Sequence, residues 1–242
     1  PFTQTSFISF VNNYTKFREM AYLDLRNIAD DYVVGGTAEQ MQAASGDDWI
    51  EGSTVNGSLW ARCMGGNDTI RLSSGLNNFA NGNNGNDDIH LLASPTGYSD
   101  GNILGGADND VITIHQGATW GVGVGKIING NRGNDVLHNY GTCYQLRGGS
   151  ENDTIINYGG SANVWGDKGA DTFVPWALDV NGNWGNHMTI MDFNPNQGDF
   201  LDLSKLGAYE KSNYDSNGDG LIDTAFSSVG GPLACLVYSN VL

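Results

Sequence analysis

Seven aspartates, Asp48, Asp68, Asp87, Asp110, Asp135, Asp153 and Asp171, recur along the middle of the chain, and five of them close a glycine-rich hexad. The hexads read Gly82-Asn83-Asn84-Gly85-Asn86-Asp87, Gly105-Gly106-Ala107-Asp108-Asn109-Asp110, Gly130-Asn131-Arg132-Gly133-Asn134-Asp135, Gly148-Gly149-Ser150-Glu151-Asn152-Asp153 and Gly166-Asp167-Lys168-Gly169-Ala170-Asp171. Glycine permits positive φ and close backbone approach, and asparagine before the aspartate tolerates left-handed conformations and bonds its own backbone. Bends of this kind present carbonyl oxygens. With an Asp carboxylate from the same bend and another from the next, they can form the all-oxygen cage that hard Ca²⁺ takes, at about 2.3–2.6 Å. The 27 acidic and 11 basic residues give a net charge of −16, so a compact fold repels itself unless cations neutralise the carboxylates. The few scattered Lys and Arg argue against nucleic acid, whose affinity comes from phosphate neutralisation.

The elements that position the bends follow from apolar spacing. Two residues after each aspartate stand Ile50, Ile70, Ile89, Ile112, Leu137, Ile155 and Phe173; seven residues before stand Met41, Ala61, Ala80, Ile103, Ile128, Leu146 and Val164. These two inward rows lie nine residues apart. From Ile128 to Phe173 the nine-residue step is strict, so one coil takes eighteen residues and supplies two short strands, a β-solenoid period. A helix is excluded because single apolar anchors separated by Gly-Asn turns break any 3.6-residue stripe. On the edge opposite the aspartates the spacing stretches between Ile50 and Ile128 before returning to nine, which predicts loops bulging outward, the largest around residues 94–100 and 116–125.

The hexads resemble the nonapeptide repeats of RTX proteins, the hemolysin-type calcium-binding repeats with pattern G-G-x-G-x-D-x-U-x, over about residues 41–206. The first two copies, at Asp48 and Asp68, lack the leading glycine. The resemblance implies a right-handed parallel β-roll, a β-solenoid, with about six or more Ca²⁺ ions between successive turns. It also implies ligands: the seven aspartates and the carbonyls of Gly82 and Asn84, Gly105 and Ala107, Gly130 and Arg132, Gly148 and Ser150, and Gly166 and Lys168. Only alternate nine-residue turns carry the motif, so calcium is expected along one edge. The segment Ile190-Met191-Asp192-Phe193 with Gln197 to Leu203 is similar to the closing segment of such domains and offers Asp192, Asp199 and Asp202 as further ligands.

Three regions are therefore expected. Residues 1–40, where Phe7, Phe10, Val11, Tyr14, Phe17 and Ala21 fit an amphipathic helix, form an N-terminal helical cap over the open end. Residues 41–189 form the roll. Residues 190–242 form a C-terminal β cap, in a position where RTX chains carry an uncleaved type I secretion signal. Within it Asp215 to Asp223 copies the front half of an EF-hand loop but has Phe226 where the closing Glu belongs, and is expected as a hairpin turn that holds either a weak ion or none.

Other chemistry is weakly represented. His90, His115, His138 and His187 make no H-E-x-x-H, and no G-x-S-x-G elbow occurs, so no catalytic residue is assigned. His90 and His138 should face outward two coils apart, too far for one metal. Cys63, Cys143 and Cys235 match neither a zinc spacing nor a disulfide framework. Trp49, Trp60, Trp120, Trp165, Trp176 and Trp184, with Tyr98, Tyr140, Tyr144 and Tyr158, could stack on sugars. No apolar run is long enough to span a bilayer as a helix.

Together these features predict a non-enzymatic, calcium-folded extracellular or cell-surface module, structural or adhesive, in a surface layer, adhesin or virion appendage. Its partners would be Ca²⁺ and, through the loop edge, surface glycans or neighbouring subunits. The alternatives are a secretion and folding module of a larger secreted enzyme or toxin, and a carbohydrate-binding module.

Overall fold

The computed structural model describes residues 22–24, 32–35, 39–42, 45–52, 59–72, 75–93, 99–120, 126–176, 187–230 and 233–238. Among them the chain is all-β, without a helix, and crosses back and forth between two largely parallel sheets. One sheet has nine short strands, in spatial order Tyr32–Gly35, Trp49–Gly52, Thr69–Leu72, Asp88–Leu91, Val111–Ile114, Val136–Asn139, Thr154–Asn157, Thr172–Pro175 and Phe200–Leu201. The other is larger and runs from Tyr22–Asp24 through Gly75–Asn84, Ser99–Ala107, Thr142–Ser150 and Ala162–Lys168 to Met188–Ile190.

Both sequence rows lie in register. Ile50, Ile70, Ile89, Ile112, Leu137, Ile155 and Phe173 are successive cross-strand partners, as are Met41, Ala61, Ala80, Ile103, Ile128, Leu146 and Val164. From Ile50 and Ala61 onward every member is at most 1% exposed. The two-residue alternation makes this register self-enforcing, because a one-residue slip would turn a whole row to water.

Two expectations change. Residues 1–21, with the expected helix, lie outside the described residues, but Tyr22–Asp24 and Tyr32–Gly35 are strands paired with the coils that follow. The solenoid thus begins before residue 41, and that part of the 1–40 cap is β. Trp120 is fully buried instead of displayed: the long insertion after Ile112 adds a short strand, Thr119–Trp120, that pairs with Ser99 and with Thr142–Cys143 and carries its indole into the core. Residues 94–98 and 121–125, the rest of the expected outward loops, and Tyr98 and Trp184 lie outside the described residues.

At the C-terminal end Leu233–Val237 adds parallel to Met188–Ile190, and Asp223–Ser228 and Tyr209–Tyr214 follow antiparallel. This change of direction ends the coiling with a hairpin. Among the described residues no helix is long and apolar enough to cross a membrane.

Candidate metal centre

The aspartates form a continuous ladder inside one edge of the solenoid. The backbone N–H of Asp48 donates to Asp68 Oδ1, and the same bond repeats from Asp68 to Asp87, Asp87 to Asp110, Asp110 to Asp135, Asp135 to Asp153 and Asp153 to Asp171, at 2.8–2.9 Å. The N–H of Asp171 donates to Asp199 Oδ1 at 3.1 Å, so Asp199 adds an eighth rung. Each of the seven motif aspartates is at most 3% exposed.

A second ladder, one residue earlier, runs the opposite way. The N–H groups of Asn67, Asn86, Asn109, Asn134, Asn152 and Ala170 donate to the side-chain oxygens of Asp47, Asn67, Asn86, Asn109, Asn134 and Asn152. The asparagines therefore bond the next coil and not, as expected, their own backbone. The left-handed tolerance is used nearby instead: Asn83, Asn131 and Asp167 have φ near +70 to +80°, in bends where Gly106 and Gly149 are their cross-strand partners. Two antiparallel sets of amide bonds fix the spacing of successive bends, leaving the aspartate carboxylates no freedom to swing to solvent.

One oxygen remains on each carboxylate that closes a glycine-led hexad. Oδ2 of Asp87, Asp110, Asp135, Asp153 and Asp171 is buried and has no hydrogen-bond partner, which for a charged oxygen is a large unbalanced cost. Each points at the leading glycine of its own hexad: a Cβ on Gly82, Gly105, Gly130, Gly148 or Gly166 would stand only 1.8–2.3 Å from it. The carbonyl oxygen of the next coil's leading glycine closes on the same point, 2.6 Å for Gly105 O at Gly82, 2.6 Å for Gly130 O at Gly105 and 2.7 Å for Gly148 O at Gly130. Five bends thus hold a cradle that only glycine leaves open, and in the first three of them oxygens from two coils line it.

The electrostatics agree. Burial first, then neighbouring carboxylates (Glu151 for Asp135, mainly aspartates for the others), pushes the carboxyls of Asp87, Asp110 and Asp153 up to about 8 and those of Asp68, Asp135 and Asp171 up to about 6, while backbone N–H donors pull them down. At neutral pH such a column needs protons or cations. Among the described residues no three His, Cys, Asp or Glu side chains gather to hold a metal, so a cation in these cradles would draw on carbonyls as well as carboxylates, a donor set that suits a hard ion.

The remaining predicted ligands divide. The carbonyls of Asn84, Ala107 and Ser150 accept N–H bonds from Gly66, Gly85 and Gly133 of the preceding coil, leaving each a second lone pair. Arg132 and Lys168 pair in register with Ser150 on either side. Asp192 accepts the N–H groups of Gly166 and Asp167 at 3.0 and 2.9 Å, and Asp199 Oδ2 accepts that of Asn194 at 2.7 Å, so both seal the end of the column with their oxygens engaged. Asp202 stands three residues beyond the ladder, its N–H bonded to Phe173 O and its Oδ1 taking the Ser204 N–H; the structure does not bring it to the cradles.

The exposed hairpin turn closes on itself. Asp215 accepts the N–H groups of Gly218 and Gly220 at 2.6 and 3.0 Å. Asp215→Ala is expected to leave the calcium midpoint of folding unchanged within twofold and to cost about 1 kcal/mol or less in chemical denaturation.

Two side-chain groups escaped the sequence reading. His90 Nδ1 lies 3.1 Å from His115 Nε2, with Asp88 Oδ2 3.1 Å from His90 Nε2; His90 and His138 are, as expected, two strands apart, both aligned with Thr113. Tyr140 and Tyr158 stack at 4.1 Å and Trp176 lies 5.0 Å beyond, so these rings present to each other the faces that a sugar would need. Their common offset of five residues after Asp135, Asp153 and Asp171 was the available signal. The three cysteines are free and buried.

Comparison of the chain with protein-family models, with curated proteins and with solved structures found no match.

Proposed function

We propose that the chain is a calcium-folded, non-catalytic extracellular or cell-surface module, a right-handed β-solenoid of the RTX kind stiffened by Ca²⁺ along its aspartate edge. The observation that supports this reading is the set of five buried, partnerless Oδ2 atoms, each facing a glycine cradle that a next-coil carbonyl also lines in the first three. Asp87, Asp110, Asp135, Asp153 and Asp171 would hold the ions with Gly105, Gly130 and Gly148 carbonyls. The bound ion would supply positive charge beside the buried Oδ2 atoms.

Function then follows from linkage. An ion that binds the folded chain and not the unfolded one adds its binding free energy to stability. Where free Ca²⁺ is scarce the carboxylates repel and the chain stays unfolded, a state fit for export. At extracellular levels, sites of about 10⁻⁴–10⁻³ M affinity fill and the rod forms. Its role is structural or adhesive, through its exposed faces.

Circular dichroism during calcium titration tests this. The β signal is expected to appear cooperatively near millimolar Ca²⁺, more weakly with Mg²⁺, which sheds its water reluctantly, and to vanish on chelation. A spectrum unchanged in excess EGTA would refute the proposal.

A further inference from the structure

The five glycine cradles have a neighbour on the N-terminal side that is built differently. Arg62 pairs with Asn81, and the Cys63 N–H donates to Asn81 O at 3.0 Å, which sets Cys63 beside Gly82 at the first position of the Asp68 bend. Ala61 and Ala80 point inward in that register, and by the two-residue alternation so do the next positions but one, Cys63 and Gly82. Cys63 is fully buried. Its thiol lies within electrostatic reach of Asp68, then Asp87 and Asp48, and contacts Asp68 without a well-formed hydrogen bond to Oδ2.

At Gly82 a Cβ alone would stand 1.8 Å from Asp87 Oδ2 and 2.6 Å from Gly105 O. Cys63 carries that Cβ and a sulfur besides. A soft sulfur is also a poor donor to a hard cation that takes oxygen ligands.

From this we infer that Cys63 bounds the cation column: its side chain fills the Asp68 bend, so the column begins at the Gly82–Asp87 bend and comprises the five glycine-led bends. This deepens, and rests on, the reading of those cradles as calcium sites. At the far end Asp192, bonded to the Gly166 and Asp167 amides, closes it. In the Asp68 bend the Cys63 side chain takes the place that an ion takes in its successors.

The test is the number of Ca²⁺ ions per chain, read by native mass spectrometry on the full chain after chelation and reloading. Cys63→Gly is expected to bind one ion more than the parent, while Cys63→Ala, which keeps the Cβ, binds the parent number. Gly82→Cys, the reciprocal change, is expected to bind one fewer, and it serves as the test if Cys63→Gly does not fold. An unchanged count in a folded Cys63→Gly chain, a gain in Cys63→Ala, or no loss in Gly82→Cys would overturn the inference. A parent chain that binds no Ca²⁺ would instead overturn the calcium reading beneath it.

Discussion

Gly130→Ala is expected to raise the calcium concentration needed for folding by about tenfold or more, although it adds a single methyl group. The new Cβ would stand 2.0 Å from Asp135 Oδ2, with Gly148 O at 2.7 Å, and neither can yield freely. Asp135 is held by the Asp110 N–H on its other oxygen, and Gly148 belongs to a continuous strand. Overpacking of this kind costs about 1–3 kcal/mol by itself, and expulsion of a cation adds to it. The control is Gly207→Asn, where φ is +66° and nothing lies within 4 Å; asparagine tolerates that conformation. The two variants are compared by calcium titration under circular dichroism, and equal midpoints would argue that the cradle is not an ion site.

The second large effect is a reversal of pH dependence by calcium. Carboxyls raised from an ordinary value near 4 to about 6 or about 8 bind more protons in the folded chain than in the unfolded one. Their contribution to stability is complete below the unfolded value and is lost as pH rises through the folded ones. Without calcium the chain should therefore gain β structure as pH falls from 8 toward 5. With calcium the order inverts, because the ion replaces protons: folding should require less Ca²⁺ at pH 8 than at pH 6, by about tenfold per proton displaced for each pH unit. Ion addition at pH 7 in a weak buffer should release protons. A calcium midpoint independent of pH, with no proton release, would show that these carboxylates carry no bound cation.

Much of the architecture was legible because its determinants are local and periodic. Ile112 and Ile128 sit in the strands and rows that their offsets from Asp110 and Asp135 assign to them, despite the long insertion that precedes Ile128. What escaped depends on contacts between coils. The opposed aspartate and asparagine ladders need the stacking of one bend on the next, which no single hexad encodes. Trp120 looked like a display residue because it lies in an insertion, yet the insertion is long enough to form its own strand and turn the indole inward. Asp202 matched by proximity in sequence to Asp199, but two-sheet geometry carries it past the bend onto the strand side. The sequence showed that the Asp68 repeat lacks its leading glycine, but only the register beside Gly82 shows that Cys63 stands in that place.

The proposed calcium dependence would account for so acidic a chain having a continuous apolar core. Its outward faces are not uniform: Trp60 stacks on Phe79 at 5.3 Å and Arg62 covers that ring, while Arg147 pairs with Asp167 and lies over Trp165. These local clusters leave the two ladders as the feature common to successive coils, and the proposed ion column would follow from repeating them.

Anomalous diffraction from crystals grown in calcium would locate the ions directly. Peaks are expected in a single file, one coil apart, between Asp Oδ2 and the leading glycine of the bends that end at Asp87, Asp110, Asp135, Asp153 and Asp171. Bends without anomalous signal, in a folded protein saturated with Ca²⁺, would contradict the central claim.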